Sequence, residues 1–332
     1  MCDLMFPTIL DDLGQALDGT LPLLAESKVR QELQLCKDWG FHLQTTDNHI
    51  RLRFDHDQLV PAWIEKETPS LAWDRLRVKG FLRLQSTNSK ALDLAMKGAP
   101  AGTLVLAEDQ THGRGRKDRK WLSQPGAGLC CSLILRPRQE AQRWPLLTLI
   151  TAVALVDALR NLCSQKVISV PLDIDIKWPN DVLLSGRKCA GILLETGFND
   201  LQHPAAIVGF GINVRKESVP ESLQREAISL DEVVQGKVPR RLLLVSFLHS
   251  FQLCYLAFEQ GKHCELLDRW KSYSSMWNGV PVLIGEGDMQ REAITYGLND
   301  TGALIVQNRN GVHETIFAET IRISAHAQNN KL

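Results

Sequence analysis

Residues 108–121 read EDQTHGRGRKDRKW. Five of these 14 residues are cationic: Arg114, Arg116, Lys117, Arg119 and Lys120. Gly113 and Gly115 alternate with the first two arginines, and glycine permits both close backbone approach to a ligand and positive φ. Guanidinium groups grip phosphate or carboxylate through two parallel hydrogen bonds. Trp121 closes the run with a flat surface suited to a base or ring. Just upstream, Gly102 is followed by Thr103, Leu104, Val105, Leu106 and Ala107, a short apolar run that reads as a buried strand. A strand therefore delivers a glycine- and arginine-rich loop, a natural holder for an anion. Taken alone, the loop reads equally as a solvated basic turn or an RGG-like contact with nucleic acid.

Composition narrows the field. The 332 residues carry 38 Lys+Arg against 38 Asp+Glu, so no global field pulls the protein toward nucleic acid or membrane and any anion site is local. Hydrophobic content of 44% and charged content of 23% are those of a soluble globular protein of two or three domains. None of the eight cysteines forms a CxxC pair, so reduced thiols in the cytoplasm are expected, with no zinc site or disulfide framework. The N-terminus lacks the basic start and apolar core of a signal peptide. The apolar stretch Trp144–Val156 is expected to be too short to span a bilayer.

Outward from the loop, Leu76–Leu84 is a strand candidate that runs into Ser86-Thr87-Asn88, small polar groups able to cap a helix and face a ligand. Gly126–Leu135 (GAGLCCSLIL) reads as a central strand and Trp144–Cys163 as an apolar helix. Short strands are expected at Ile174–Lys177 and Val182–Leu184, longer ones at Lys188–Glu195 and Ala206–Val214, and an amphipathic helix at Leu243–Phe258. Residues 1–65 form a module in which a helix (Val29, Leu33, Cys36, Trp39) precedes a hairpin turning at Thr46-Asp47-Asn48. That order is the pattern of a winged helix, although the cationic footprint of a DNA reader is weak. Asp57–Ser70, with Pro61 and Pro69, reads as a linker. From Val280 onward, short strands at Val280–Ile284, Glu292–Leu298, Ala303–Gln307, Thr315–Ala318 and Thr320–Ser324 suggest a small β-barrel.

Four separated motifs need one explanation: Ser86-Thr87-Asn88; the Gln110–Trp121 loop; Lys177-Trp178-Pro179-Asn180-Asp181 with Lys188; and Gly209-Phe210-Gly211-Ile212-Asn213-Val214. Singly, each has a plain reading as an N-cap, a surface turn, a strand-to-strand turn or close strand packing. In this order, from about residue 80 to 325, they resemble the biotin protein ligases, specifically the larger bacterial type that doubles as the biotin operon repressor. The resemblance implies an α/β catalytic domain related to class II aminoacyl-tRNA synthetases (66–276), a winged-helix-like module (1–65) that is short and degenerate, and an SH3-like β-barrel (277–328). It implies that biotin reacts with ATP, with Mg²⁺ on the phosphates, to give biotinyl-5′-AMP. The biotinyl group then passes to a lysine of the biotin carboxyl carrier protein of acetyl-CoA carboxylase. Ser86, Thr87, Asn88, Gln110, Arg114 and Gly115 would surround biotin, with Arg116 and Lys188 at its carboxylate. Trp121 would meet adenine, and Asn180 and Asn213 the nucleotide. Operator DNA and a second copy of the chain are further partners that the resemblance implies.

The chemistry is physically coherent. Carboxylate attack on an α-phosphate brings two anions together, so cations must stand where charge gathers in the transition state. Arg116, Arg119 and Lys188 are candidates for that clamp, and Asp181 would orient Lys188, help with metal or accept the acceptor lysine's proton. A loop closing over the mixed anhydride would exclude water, with Gly113 and Gly115 supplying flexibility. Asp118 stands where the family usually has glycine, which places a negative charge beside the phosphate-binding arginines. Two other readings stand beside this one: a lipoate or octanoyl transferase of the same fold group, and a DNA-binding sensor of biotinyl-AMP.

Overall fold

The computed structural model describes residues 3–16, 20–22, 27–46, 49–53, 55–198, 204–286, 290–317 and 320–323. The N-terminal part runs β1 (Leu4–Met5), α1 (Thr8–Gln15), β2 (Thr20–Pro22), α2 (Ser27–Asp38), β3 (Leu43–Thr45), β4 (His49–Leu52) and α3 (Pro61–Glu67). The expected helix and hairpin strands are present, while the hairpin's turn residues Asp47 and Asn48 lie outside the described residues. Two strands and two helices were not expected there. β2 adds a third strand to make the order β2-β4-β3, and β1 leaves this sheet altogether to pair with the strand Arg77–Leu84 of the next unit. Asp57–Ser70 is not a plain linker: Pro61 occupies the first turn of α3, where its missing N–H costs nothing.

The central part contains β5 (Arg77–Leu84), α4 (Thr87–Met96), β6 (Thr103–Gln110), β7 (Gly128–Leu135), α5 (Leu146–Ser164), β8 (Ile174–Lys177), β9 (Asp181–Leu184), β10 (Arg187–Phe198) and β11 (Pro204–Asn213). The helices α6 (Leu230–Val234), α7 (Arg240–Glu259) and α8 (His263–Tyr273) follow. With β1, these strands form an eight-stranded sheet in the order β1-β5-β6-β7-β11-β10-β9-β8. Only β5 and β6 run parallel; the other pairs are antiparallel.

Period-two alternation in the middle strands assigns the two faces. Along β11, Ala206, Val208, Phe210 and Ile212 enter the large core under α5 and α7, whereas Ala205 and Ile207 pack beneath α4. α5 is apolar all round because it is enclosed: 13 of its 19 residues are buried. It corrects the expectation for the Trp144 stretch, since α5 and α7 are both long and apolar enough to cross a membrane by length and composition. The apolar stretch ends at Val156, but the helix continues past Asp157 and Arg160 to Ser164. Both helices pack against each other and the sheet.

The C-terminal part is a five-stranded antiparallel sheet ordered β15-β14-β13-β12-β16, built from β12 (Pro281–Ile284), β13 (Arg291–Leu298), β14 (Leu304–Asn308), β15 (His313–Ile316) and β16 (Ile321–Ile323). The expected strand ends Ala318 and Ser324 lie outside the described residues. The Asn299–Gly302 turn seats this sheet against the centre, where the buried Trp178 donates from Nε1 to the Gly302 carbonyl at 3.0 Å.

Candidate active site

The site lies on the α4 face of the sheet, where alternation runs out of side chains. After Ala205 and Ile207, the same face of β11 presents Gly209, Gly211 and Asn213. Gly211 is paired with Gly191 of β10, so two adjacent strands are bare at one level. The gap is filled from above. A Cβ at Gly211 would lie 2.3 Å from the Trp121 ring, and one at Gly209 would lie 1.9 Å from Asn88 Oδ1. These glycines are required by close approach of side chains, not by turn geometry.

Around Asn88, a buried polar network forms at the N-terminus of α4. Ser86 caps the helix by accepting from Ser89 N. Gln110 Oε1 accepts from Thr87 N at 2.7 Å, Ser132 Oγ lies 2.8 Å from Thr87 Oγ1, and Ser132 donates to Asn88 Oδ1 at 2.5 Å. Asn88 Nδ2 donates to Glu195 Oε2 at 2.9 Å, and Glu195 holds Arg114 at 2.8 Å. Ser132 and Glu195 were absent from the sequence reading. Ser132 is a single hydroxyl in an otherwise apolar strand, and Glu195 is one of several polar residues in β10, signals too common to single out.

The basic loop closes on itself as a small hairpin: Arg114 and Lys120 bridge, Gly115 N donates to Arg119 O at 2.7 Å, and Trp121 N donates to Gly113 O at 2.9 Å. Positive φ falls on Lys117 (53°) and Asp118 (56°), not on Gly113 or Gly115, which corrects the role given to those glycines. Gly113 is needed instead because a Cβ there would lie 2.3 Å from the Trp121 carbonyl oxygen. Arg116 Nη1 donates to Asn180 Oδ1 at 3.2 Å, and Asn180 is itself fixed on Ile192 through Nδ2 and its own carbonyl, each at 2.9 Å. Burial, partly offset by Asp181, lowers the pKa of Arg116 from its ordinary value. Arg119 reaches the C-terminal sheet, 2.5 Å from Glu286 Oε1.

The turn between β8 and β9, with a cis Trp178–Pro179 bond, brings Asp181 under Lys188 at 2.6 Å. Lys188 Nζ also lies 5.8 Å from the Trp121 ring centroid. Lys177, which the sequence reading quoted without a role, joins this group. Burial lowers its pKa, Asp181 opposes the shift, and Lys188, Arg322 and Arg119 reinforce it.

Of the 13 residues singled out in sequence, all but Asn213 line one cavity of about 180 Å³. Asn213 lines an adjoining space of about 610 Å³, which shares Arg119, Trp121, Asp181 and Lys188 with the first. A smaller polar-ended pocket thus meets a larger one at a cluster of cations, a geometry that can hold two anionic groups against each other.

A family model described as the biotin/lipoate A/B protein ligase family matches residues 80–213. The bifunctional ligase/repressor BirA of Bacillus subtilis is 34% identical over 239 residues, 71% of this chain and 71% of its own. The biotin–[acetyl-CoA-carboxylase] ligase of Paracoccus denitrificans is 32% identical over 234 residues, 69% of this chain and 93% of its own. The structure of biotin protein ligase from Aquifex aeolicus in complex with biotin and ATP superposes with a TM-score of 0.61 at 26% identity, over 74% of this chain and 99% of that one. An identity of this level, carried across more than two thirds of a named ligase and reaching a solved ligase fold, means that the chain belongs to the biotin protein ligase family.

Proposed function

We propose that the protein activates biotin with ATP to biotinyl-5′-AMP and transfers the biotinyl group to a lysine of a biotin carboxyl carrier protein, that of acetyl-CoA carboxylase. The observation that carries this reading is the junction of the two cavities. Arg119, Lys177 and Lys188 gather there with one carboxylate, Asp181, and Arg116 lines the first cavity beside them. In the first step a biotin carboxylate oxygen bonds to the α-phosphorus and the bond to the β-phosphate breaks, releasing pyrophosphate. Negative charge moves onto the phosphates, and the cations offset it without reorganising. In the second step the acceptor amine attacks the carbonyl carbon, the bond to AMP breaks and the amine loses a proton.

The residue roles are our assignment. Ser86, Thr87, Asn88, Gln110, Arg114 and Gly115 form the biotin end, in keeping with the polar network above. Arg116 and Lys188 hold the carboxylate and α-phosphate, and Arg119 the leaving phosphates. Trp121, Asn180 and Asn213 take the nucleotide. Asp181 orients Lys188 and receives the acceptor's proton. Mg²⁺ arrives with ATP as part of the substrate. Among the described residues there is no group of three or more His, Cys, Asp or Glu that could hold a metal, so the phosphates would supply most of its ligands.

We assign the domains as 1–65, 66–276 and 277–328, with winged-helix-like, class II synthetase-like and SH3-like architectures respectively. Operator binding is a second activity, for which exposed Lys28, Arg30 and Lys37 of α2 and exposed Arg51 and Arg53 of the hairpin are the candidate phosphate contacts. Pairing of two copies fits the edge of β10 beyond Gly191, where the β9 ladder ends. Free cysteines among the described residues accord with a cytoplasmic protein.

The deciding experiment is ATP–pyrophosphate exchange by the purified protein with biotin and with lipoate. Exchange dependent on biotin, and lost in Lys188→Ala, is expected. Exchange with lipoate alone would move the protein to the lipoate branch of its family.

A further inference from the structure

The N-terminal part meets the catalytic part through ion pairs between half-buried carboxylates and more deeply buried arginines, and one of these reaches the ligand loop. Asp57 follows the hairpin and precedes α3. Its carboxylate takes Arg240 from the start of α7, accepting from the Arg240 backbone N at 3.0 Å and lying 3.6 Å from Nε. It also pairs with Arg215, two residues beyond Asn213. Arg240 in turn holds Glu108, two residues before the end of β6, at 2.5 Å, with both side chains more than nine-tenths buried.

Both ends of the ligand loop are therefore tied to this cluster. Glu108 stands at the entrance, and its carbonyl accepts from Gly126 N at 2.9 Å at the exit. Arg240 also reaches the Gly128 carbonyl at 3.4 Å, and Arg215 N donates to Ala127 O at 2.8 Å. The same module has a second anchor. Glu67 holds the buried Arg241 at 3.2 Å, and Arg241 Nη1 donates to the Gln58 carbonyl of the N-terminal part. Two acidic residues thus dock one module on one helix end, and Asp57 is the one that pairs with Arg240 and Arg215 at the base of the loop.

We propose that Asp57 is a positioning residue for adenylation, setting the base of the ligand loop from the N-terminal module through Arg240, Glu108 and Arg215. The inference rests on the proposed role of this loop in holding biotinyl-AMP. Removing the Asp57 charge takes one carboxylate from Arg240, which keeps Glu108, and one from Arg215, which keeps Asp231, so both guanidinium groups settle toward those remaining partners. The loop base shifts with them, and the closed loop is populated less. Apparent affinity falls by the fraction of protein no longer competent, while the chemistry of the closed form is untouched.

The test compares Asp57→Asn, Asp57→Glu and Glu67→Gln in the full chain by biotin-dependent pyrophosphate exchange, with thermal melting in parallel. Asp57→Asn should raise KM for biotin by about tenfold and leave kcat within about twofold. Asp57→Glu, which keeps the charge, should recover much of that loss. Glu67→Gln should lower the melting temperature and leave KM where it was. Equal KM changes in the Asp57→Asn and Glu67→Gln proteins would make the effect one of module docking alone and overturn the proposal. So would an unchanged KM in Asp57→Asn. If Asp57→Asn does not fold, Asp57→Glu against Glu67→Asp gives the comparison instead, with the smaller KM change that the longer side chain does not recover confined to the former. A wild-type protein without biotin-dependent exchange would instead remove the reading of the loop on which the inference stands.

Discussion

Lys177 shows how a single titratable group links the fold to the chemistry. Burial depresses its pKa below the ordinary 10.5, and neighbouring cations push the same way. Between its folded pKa and 10.5 the unfolded chain binds more protons than the native one, so this residue's contribution to stability improves as pH rises through that window. Anion binding has the opposite sign, because phosphate favours the charged amine. ATP affinity should therefore weaken at alkaline pH as Lys177 loses its proton, and KM for ATP should climb on that limb. Lys177→Arg, which stays charged, should move the climb to higher pH; an unmoved limb would show that another group titrates. Asp118 is the other informative residue. It holds φ at 56° and puts a carboxylate in a turn between two arginines, a conformation that costs most L-residues about 1–2 kcal/mol and aspartate less. Asp118→Gly removes both the strain and the charge. We expect KM for ATP to fall by about two- to fivefold, the scale of a partly screened surface interaction. A raised KM in steady-state kinetics would mean that the aspartate supports the turn.

At the scale of elements, the glycines of β10 and β11 carry a sharper expectation. Gly211→Ala puts a methyl group into the Trp121 ring, so the indole must leave the floor of the site. Nucleotide binding should weaken by tenfold or more, roughly the cost of one displaced aromatic contact. Gly209→Ala strikes Asn88, which is pinned by Ser132 and Glu195. The loss there should appear as stability, about 1–3 kcal/mol in a denaturant melt, the usual cost of overpacking. These two strands also show what was legible in the sequence. β6, β7, β10 and β11 could be read from apolar runs, and α5 and α7 from length and periodicity. β1, β2, α1, α3 and α6 could not, because they are short and carry no long apolar run of their own, so tertiary contact holds them. The cations were legible because five stand together in 14 residues. Their supports were not: Ser132 is one hydroxyl in an apolar strand, and Glu195 lies 81 positions from the Arg114 it holds (195 minus 114).

For the molecule as a whole, the ligand loop is the part that every other unit touches. Its base rests on the cluster shared with the N-terminal part, and its tip is tied to the C-terminal sheet. Arg119 pairs with Glu286, Lys117 Nζ donates to Thr320 Oγ1 at 3.2 Å, and Thr320 donates to Glu286 at 2.6 Å. The Thr320 hydrogen bond, more than Arg119, holds the Glu286 carboxyl below its ordinary pKa of 4.5, so the tie persists through neutral pH and is lost as acid protonates Glu286. These groups are exposed, and salt screens such pairs within about a Debye length, ~10 Å at moderate ionic strength. Glu286 touches no reacting atom, so Glu286→Gln should leave kcat for pyrophosphate exchange intact. What it should change is how long the loop stays shut. Trypsin should cut within Arg114–Lys120 several-fold faster in the variant with biotin and ATP present, and biotinyl-AMP should leave the protein faster. Added salt should bring the wild-type protein toward the variant's behaviour and change the variant little. Equal cleavage rates in the two proteins at low salt would show that the loop closes on the central sheet alone, with the C-terminal sheet as a neighbour and not a latch.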